Sequence, residues 1–282
     1  MAFRSNGPIT LSLPPFRGVT RRIILAALIG FAAEFLFGMV AFAPTAFITN
    51  LFLLHPDQAV HKQIWQFATY PFLEMNLRGL LFALFTVWFF GATLEDERGP
   101  RWFMEFFLTV TIVGGLVATL LAYATAGHVP GLNPDDQIRA AGLWPFSLAL
   151  LVAFGSLHAE EVIRFNLIFK LKAKYLAALY VGFYLLLTVF SGDRFGALVA
   201  LTNALAGYCF VRFVPRRGVR AGLSERWFGL RNAWYRAKRR RAAKKFTVYM
   251  RKQGKDVSLD SDGRYIDPNG NPRDPDDRNW MN

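Results

Sequence analysis

A chain of 282 residues that is 53% hydrophobic, 16% aromatic and only 19% charged, with a mean hydropathy of +0.25, carries more apolar side chain than one water-soluble core can bury. Its apolar residues fall in runs long enough to cross a hydrocarbon layer of about 30 Å, which excludes the soluble and disordered classes. The net charge of +13 is local: residues 1–211 sum to +2, residues 212–255 hold sixteen Lys/Arg against one Asp/Glu, and residues 256–282 sum to −4. A basic block beside a membrane span is a topology determinant and a contact for anionic lipid head groups before it is a nucleic-acid site. The single cysteine, Cys209, allows no intrachain disulfide and no cysteine-based metal cluster.

In chain order, residues 1–21 form a cytoplasmic segment carrying Arg4, Arg17 and Arg21. The first span, 22–43, has Glu34 as its only charge after Arg22; its length and Pro44 directly after Ala43 predict a retained helix rather than a cleaved signal peptide. The first outside loop, 44–78, interleaves Phe47, Leu51, Phe52, Leu53, Ile64, Trp65, Phe67 and Phe72 with polar residues, and predicts a partly helical hairpin in the interface. Spans follow at 79–94, 102–125, 142–158, 174–190 and 195–213, making an all-α membrane domain of six helices over 22–213. Pro145 predicts a local opening near the outer end of the fourth span, and Gly114 with Gly115 predicts close helix approach in the third.

Lys and Arg are concentrated before the first span, at Arg98 and Arg101, from Arg164 to Lys174, and after Phe213; the alternate connections hold only Lys62, Arg78, Arg139 and Arg194. The positive-inside rule therefore puts both termini in the cytoplasm. In the basic segment 214–255, Ser224 is a candidate N-cap for an amphipathic surface helix bearing Trp227, Leu230 and Trp234, with Arg239, Arg240 and Arg241 as lipid or partner contacts. Residues 256–282 read as an extended acidic, Gly/Pro-rich tail; Arg264 at the third ligand position argues against a calcium loop at Asp260, Asp262 and Asp267.

One stretch carries a family likeness. Trp65, Thr69 and Phe72 precede a helix that closes with Gly91, Glu95 and Gly99, and this run resembles the rhomboid family of intramembrane serine proteases, with a Trp-x-x-x-Thr-x-x-Phe-like entry and a Gly-x-x-x-Glu-x-x-x-Gly ending. Lys172-Ala173-Lys174 opens the fifth span in similar fashion, and the resemblance covers residues 20–213. It implies a six-helix rhomboid-like bundle with a serine nucleophile on the fourth span, a histidine base on the sixth and oxyanion donors on the second.

This sequence departs from that pattern at each functional position. Gly142-Leu143-Trp144-Pro145 best fits the Gly-x-Ser-Gly slot, with Trp144 at the nucleophile, while a shifted register puts Ala141 there and another puts Ser147 there with Pro145 and Leu148 in place of both glycines; the base falls on Ala200, and the second-span donors fall on Glu74, Gly79 and Ala83. The four histidines, His55, His61, His128 and His158, all precede the fifth span. Thr202 and Asn203 stand where the resemblance implies two small glycines on the sixth span, which predicts cross-helix bonds and a wider or differently filled core, with Trp144 as the candidate filler. Glu95 with Arg98, and Gly99 with Pro100, shape the second connection.

The expectation is a pseudoprotease that binds transmembrane partners or clients in quality control, assembly or as an adaptor, with anionic lipid at the basic tail, no cofactor and no metal. Two rivals stand beside it. An active intramembrane protease would use an unconventional nucleophile such as Ser147, and a transporter would depend on Glu34. The family and topology together place the chain in a bacterial inner membrane.

Overall fold

The computed structural model describes residues 14–39, 50–74, 76–126, 128–134, 138–165, 169–215 and 218–254, with positions 259 and 266. Phe47 and the aspartates at 260, 262 and 267 lie outside the described residues. The chain divides into two compact units, Met1–Val219 and Arg220–Asn282.

The first unit begins with helix α1, Gly18–Met39. It starts four residues before the expected span because Glu95 caps it from a distance: its carboxylate accepts from Val19 N (2.7 Å), Thr20 N (2.8 Å) and Thr20 Oγ1 (2.7 Å). Val19, Ile23, Ile24 and Ala27 are buried, whereas Leu25, Leu28, Ile29, Phe35 and Leu36 face outward. An exterior this apolar is suited to lipid.

The loop that follows contains two short helices, α2 (Pro56–His61) and α3 (Gln66–Thr69), and a 3-10 turn at Tyr70–Phe72. Gln66, fully buried, organises it: Oε1 accepts from His55 N at 3.0 Å, and Nε2 donates to Asn50 O at 3.0 Å and Gln63 Oε1 at 2.6 Å. The aromatic and aliphatic residues of the loop divide in two. Leu53, Leu54, Phe67 and Tyr70 are buried, while Phe52, Val60, Ile64 and Trp65 are exposed.

Helix α4, Leu77–Arg98, carries a π turn at Val87–Gly91, and Gly99 (φ +91°) leads into α5, Pro100–Ala124, with proline in its first turn. Helix α6 is Trp144–Leu157, α7 is Ala173–Phe190 and α8 is Arg194–Phe213. Four described helices, α4, α5, α7 and α8, are long and apolar enough to cross a membrane. A short antiparallel hairpin, β1 (Val162–Phe165) and β2 (Phe169–Lys172), joins α6 to α7 with Val162 opposite Lys172. The helical reading did not anticipate it.

Helix α6 is the centre of the unit, contacting α4, α5, α7 and α8, and ten of its 14 residues are buried. Small residues set the close approaches. A Cβ on Gly207 would lie 3.2 Å from Ala149 Cβ, one on Gly155 2.8 Å from Ala177 Cβ, and one on Gly114 would collide with Asn203 Oδ1 at 1.8 Å. The fourth and sixth spans thus remain close at Gly207. Trp144 is half-buried and stacks on Tyr184 of α7, with centroids 5.4 Å apart.

The second unit contains helix α9, Val219–Lys252, of 34 residues. It starts before Ser224, which is therefore an internal residue rather than an N-cap. Trp227, Leu230 and Trp234 are exposed, as are Phe228, Tyr235, Phe246, Val248 and Tyr249. Cations sit among them: Arg231 lies 5.3 Å from the Phe228 ring centre and Lys238 5.3 Å from that of Trp234. Aromatic and basic side chains are interleaved rather than separated on two faces.

Candidate functional site

A 14-residue helix rises about 21 Å, so α6 falls short of a hydrocarbon layer of roughly 30 Å. Space opens above its N-terminus. A cavity of about 420 Å³ there is lined by Glu74, Asn76, Gly131, Ile138, Arg139, Ala141, Trp144, Gly192, Asp193, Arg194 and Phe195.

The loop and α6 are fastened together around this cavity by backbone bonds. Leu54 and Ala140 exchange both N–H···O bonds at 3.0 Å, and Gly142 N donates to Tyr70 O at 2.9 Å. Gly142 adopts φ +88°, and a Cβ there would sit 2.1 Å from Glu74 Oε2. Glycine is thus required at 142 both by the backbone and by the carboxyl packed against it. Asn76 caps α4 by accepting from Gly79 N at 2.8 Å.

Glu74 is 4% exposed. Its carboxyl bonds the backbone of Leu143 at the start of α6, while Oε2 has no partner. Burial pushes its pKa up to about 7, with the Glu34 carboxylate adding to the rise and the Leu143 bond opposing it. Glu34, on α1, also has a buried Oε2 without a partner. Two neighbouring carboxyls thus each present an unsatisfied buried oxygen, an arrangement of high energetic cost in a protein interior. Asp193 caps α8 through Gly196 N at 3.0 Å, and Arg194 donates to Pro130 O.

The positions singled out by the sequence fall close around this region. Trp144 packs against the buried cluster of Leu148, Ala200 and Ala204, an apolar neighbourhood that holds both residues the rhomboid resemblance aligns with the dyad. A Cβ on Gly79 would lie 3.1 Å from Glu74 Oε1, and Ala83 is fully buried in the main core. Ser147, 1% exposed, donates to Leu143 O at 3.1 Å, one turn back in its own helix. Asn203 reaches across, donating to Tyr70 Oη at 2.9 Å, whereas Thr202 bonds only its own helix at Leu198 and Val199.

Other expected residues lie elsewhere. Glu95 and Gly99 belong to the opposite end of α4, where Glu95 holds α1 and Arg98 stacks over Trp102 at 5.5 Å. Trp65 is exposed and donates from Nε1 to Leu51 O at 2.9 Å. At the Glu95 end of α4, His158 bonds Glu97 at 2.8 Å, and that bond raises the imidazole above its ordinary value. Arg139, Asn76 and Asp193 were missed as cavity residues because they come from three separate connections; their only signal was polarity beside an apolar run.

A bundle with four described helices of membrane-crossing length and composition is that of a multi-pass membrane protein. Residues 21–246 match the family described as "Eukaryotic integral membrane protein (DUF1751)", and the chain belongs to that family, which is grouped with rhomboid-like families. No curated protein matches the chain. Membership of a eukaryotic family overturns the expected bacterial inner membrane. The charge asymmetry behind that expectation acts in bacterial and eukaryotic membranes alike, so it orients a protein without revealing the cell that holds it.

Proposed function

We propose that this chain is a rhomboid-like pseudoprotease that binds transmembrane segments of partner or client proteins without cleaving them, in quality control, assembly or as an adaptor. One observation carries the reading: Trp144 and Ala200, which stand at the nucleophile and base positions by the rhomboid resemblance, belong to one apolar neighbourhood. A serine is activated for attack on an amide by a neighbouring base. Ser147 instead spends its hydroxyl proton on Leu143 O. Helices α1 and α6 join the other four as spans, both termini are cytoplasmic, and the cavity opens on the opposite side. Helix α9, with Trp227 and Trp234 exposed among Arg and Lys, suits an anionic lipid surface.

The test is cleavage of a model transmembrane substrate in liposomes, with Ser147→Ala as paired control and an active rhomboid as positive control. The expected result is no cleavage above background, together with retention of the intact substrate on the purified protein. Cleavage that Ser147→Ala abolishes would overturn the proposal.

A further inference from the structure

We propose that the outer cavity receives a lysine or arginine side chain carried by the membrane-spanning segment of a partner protein, with the free oxygen of Glu74 as its acceptor. The proposal rests on the reading of this chain as a binder of membrane segments and names the chemistry of the segment.

Four features point to a cation. Glu74 is buried to 4% exposure, lines the cavity, and keeps Oε2 without a partner while its carboxyl is held by the Leu143 backbone. Glu34, close enough to act on Glu74 electrostatically, has a second buried oxygen without a partner. Asp193 lines the same cavity, and so does the Trp144 indole, whose face attracts cations. In its ionised form Glu74 repels anions and attracts cations, and the described residues contain no group of three or more His, Cys, Asp or Glu arranged to hold a metal ion.

The cavity's own cations are differently placed. Arg139 is exposed, and so screened by water and salt; it acts on Glu34 and Asp193 but is not among the groups acting on Glu74, and Arg194 donates to Pro130 O. A buried carboxylate is screened far less. The occupant belongs to a membrane segment because the cavity opens at the head of a bundle whose outer surface is apolar, with Leu179, Phe183 and Leu186 of α7 exposed. A lysine in such a segment carries its charge on a four-carbon stem, so its helix stays in lipid while the ammonium reaches a polar cavity.

Binding should weaken with acid. Glu74 titrates at about 7, so lowering the pH through that value neutralises the acceptor. The groups around it are Glu34 on α1, Arg139 before α6, Tyr184 on α7, and Asp193 and Arg194 at the start of α8.

The experiment uses the full chain in phosphatidylcholine liposomes with a fluorescent Leu/Ala transmembrane peptide bearing one lysine near its outer end, against the same peptide with leucine there. Energy transfer within the bilayer reads binding at about pH 8 and about pH 5.5. The lysine peptide is expected to bind about tenfold tighter at the higher pH, with the advantage largely lost in Glu74→Gln and at the lower pH. Glu74→Gln keeps the shape and the acceptor facing Leu143, and Glu34→Gln serves as the second variant, expected to reduce the advantage by a smaller factor. Equal binding of the two peptides, or a lysine advantage unchanged in Glu74→Gln, overturns the proposal and leaves the wider function standing. If neither peptide binds, both readings fall.

Discussion

Glu74 and Glu95 flank the same helix, both are less than a tenth exposed, and their surroundings differ completely. Glu95 receives three hydrogen bonds from the first turn of α1, so its charge completes a helix N-terminus and ties two helices together. Glu74 also meets a helix N-terminus, at Leu143, yet one oxygen of this cavity-lining carboxyl is left without a partner. The first arrangement has the form of a structural cap. The second leaves capacity for something outside the chain, and capacity of that kind is costly enough to be uncommon unless it is used.

Removing the cap should produce the largest effect. Glu95→Ala leaves Val19 N and Thr20 N buried without acceptors, and thermal unfolding in detergent should show a loss of about 3 kcal/mol or more. A wild-type melting curve would contradict the structural role of Glu95. Gly142→Ala should follow closely, costing about 2–3 kcal/mol, because it combines a left-handed backbone with a collision against Glu74. Pairing it with Glu74→Ala, which clears the space, should recover part of that loss and leave the backbone strain; no recovery would mean that the carboxyl does not press on Gly142.

Glu74→Gln should act in the opposite direction. Its carboxyl has a folded-state pKa raised to about 7, above its ordinary value, so the native state holds the proton more tightly and wild-type stability falls as pH rises toward that value. The glutamine variant escapes this loss. It should melt higher than wild type by roughly 2–3 kcal/mol above about pH 7.5 and match it below about pH 4.5. Destabilisation at the higher pH would mean that the free oxygen is in fact satisfied.

The smallest effect concerns His158. Its bond to Glu97 raises the imidazole pKa, so this pair stabilises the fold below the unfolded value and loses that contribution as pH rises through the folded one. With Glu97 partly exposed, His158→Gln should cost under about 1 kcal/mol near pH 6 and less near pH 9 in the same unfolding measurement.

Much of the bundle was legible because its signals are local. Runs of apolar residues gave the helices within a few positions, Gly99-Pro100 marked the turn between α4 and α5, and Gly114 marked a close approach whose partner proved to be Asn203. The site was legible only in part. Glu74 and Trp144 came from a family likeness, whereas Arg139 and Asp193 reach the cavity because α6 is short and the loops on either side close over it. The β1–β2 hairpin was missed since Val162, Arg164, Lys170 and Lys172 alternate over only four residues in each strand.

The sequence alone determined that this is a membrane protein and where its charge is concentrated. Those conclusions need only composition, periodicity and order along the chain. Which carboxyl is satisfied and which is free was decided by tertiary structure, because Glu95 finds Thr20 75 residues away and Glu74 finds Leu143 across a folded loop. Hydrogen-bond satisfaction is a property of three-dimensional neighbours, and no pattern within a single segment encodes it.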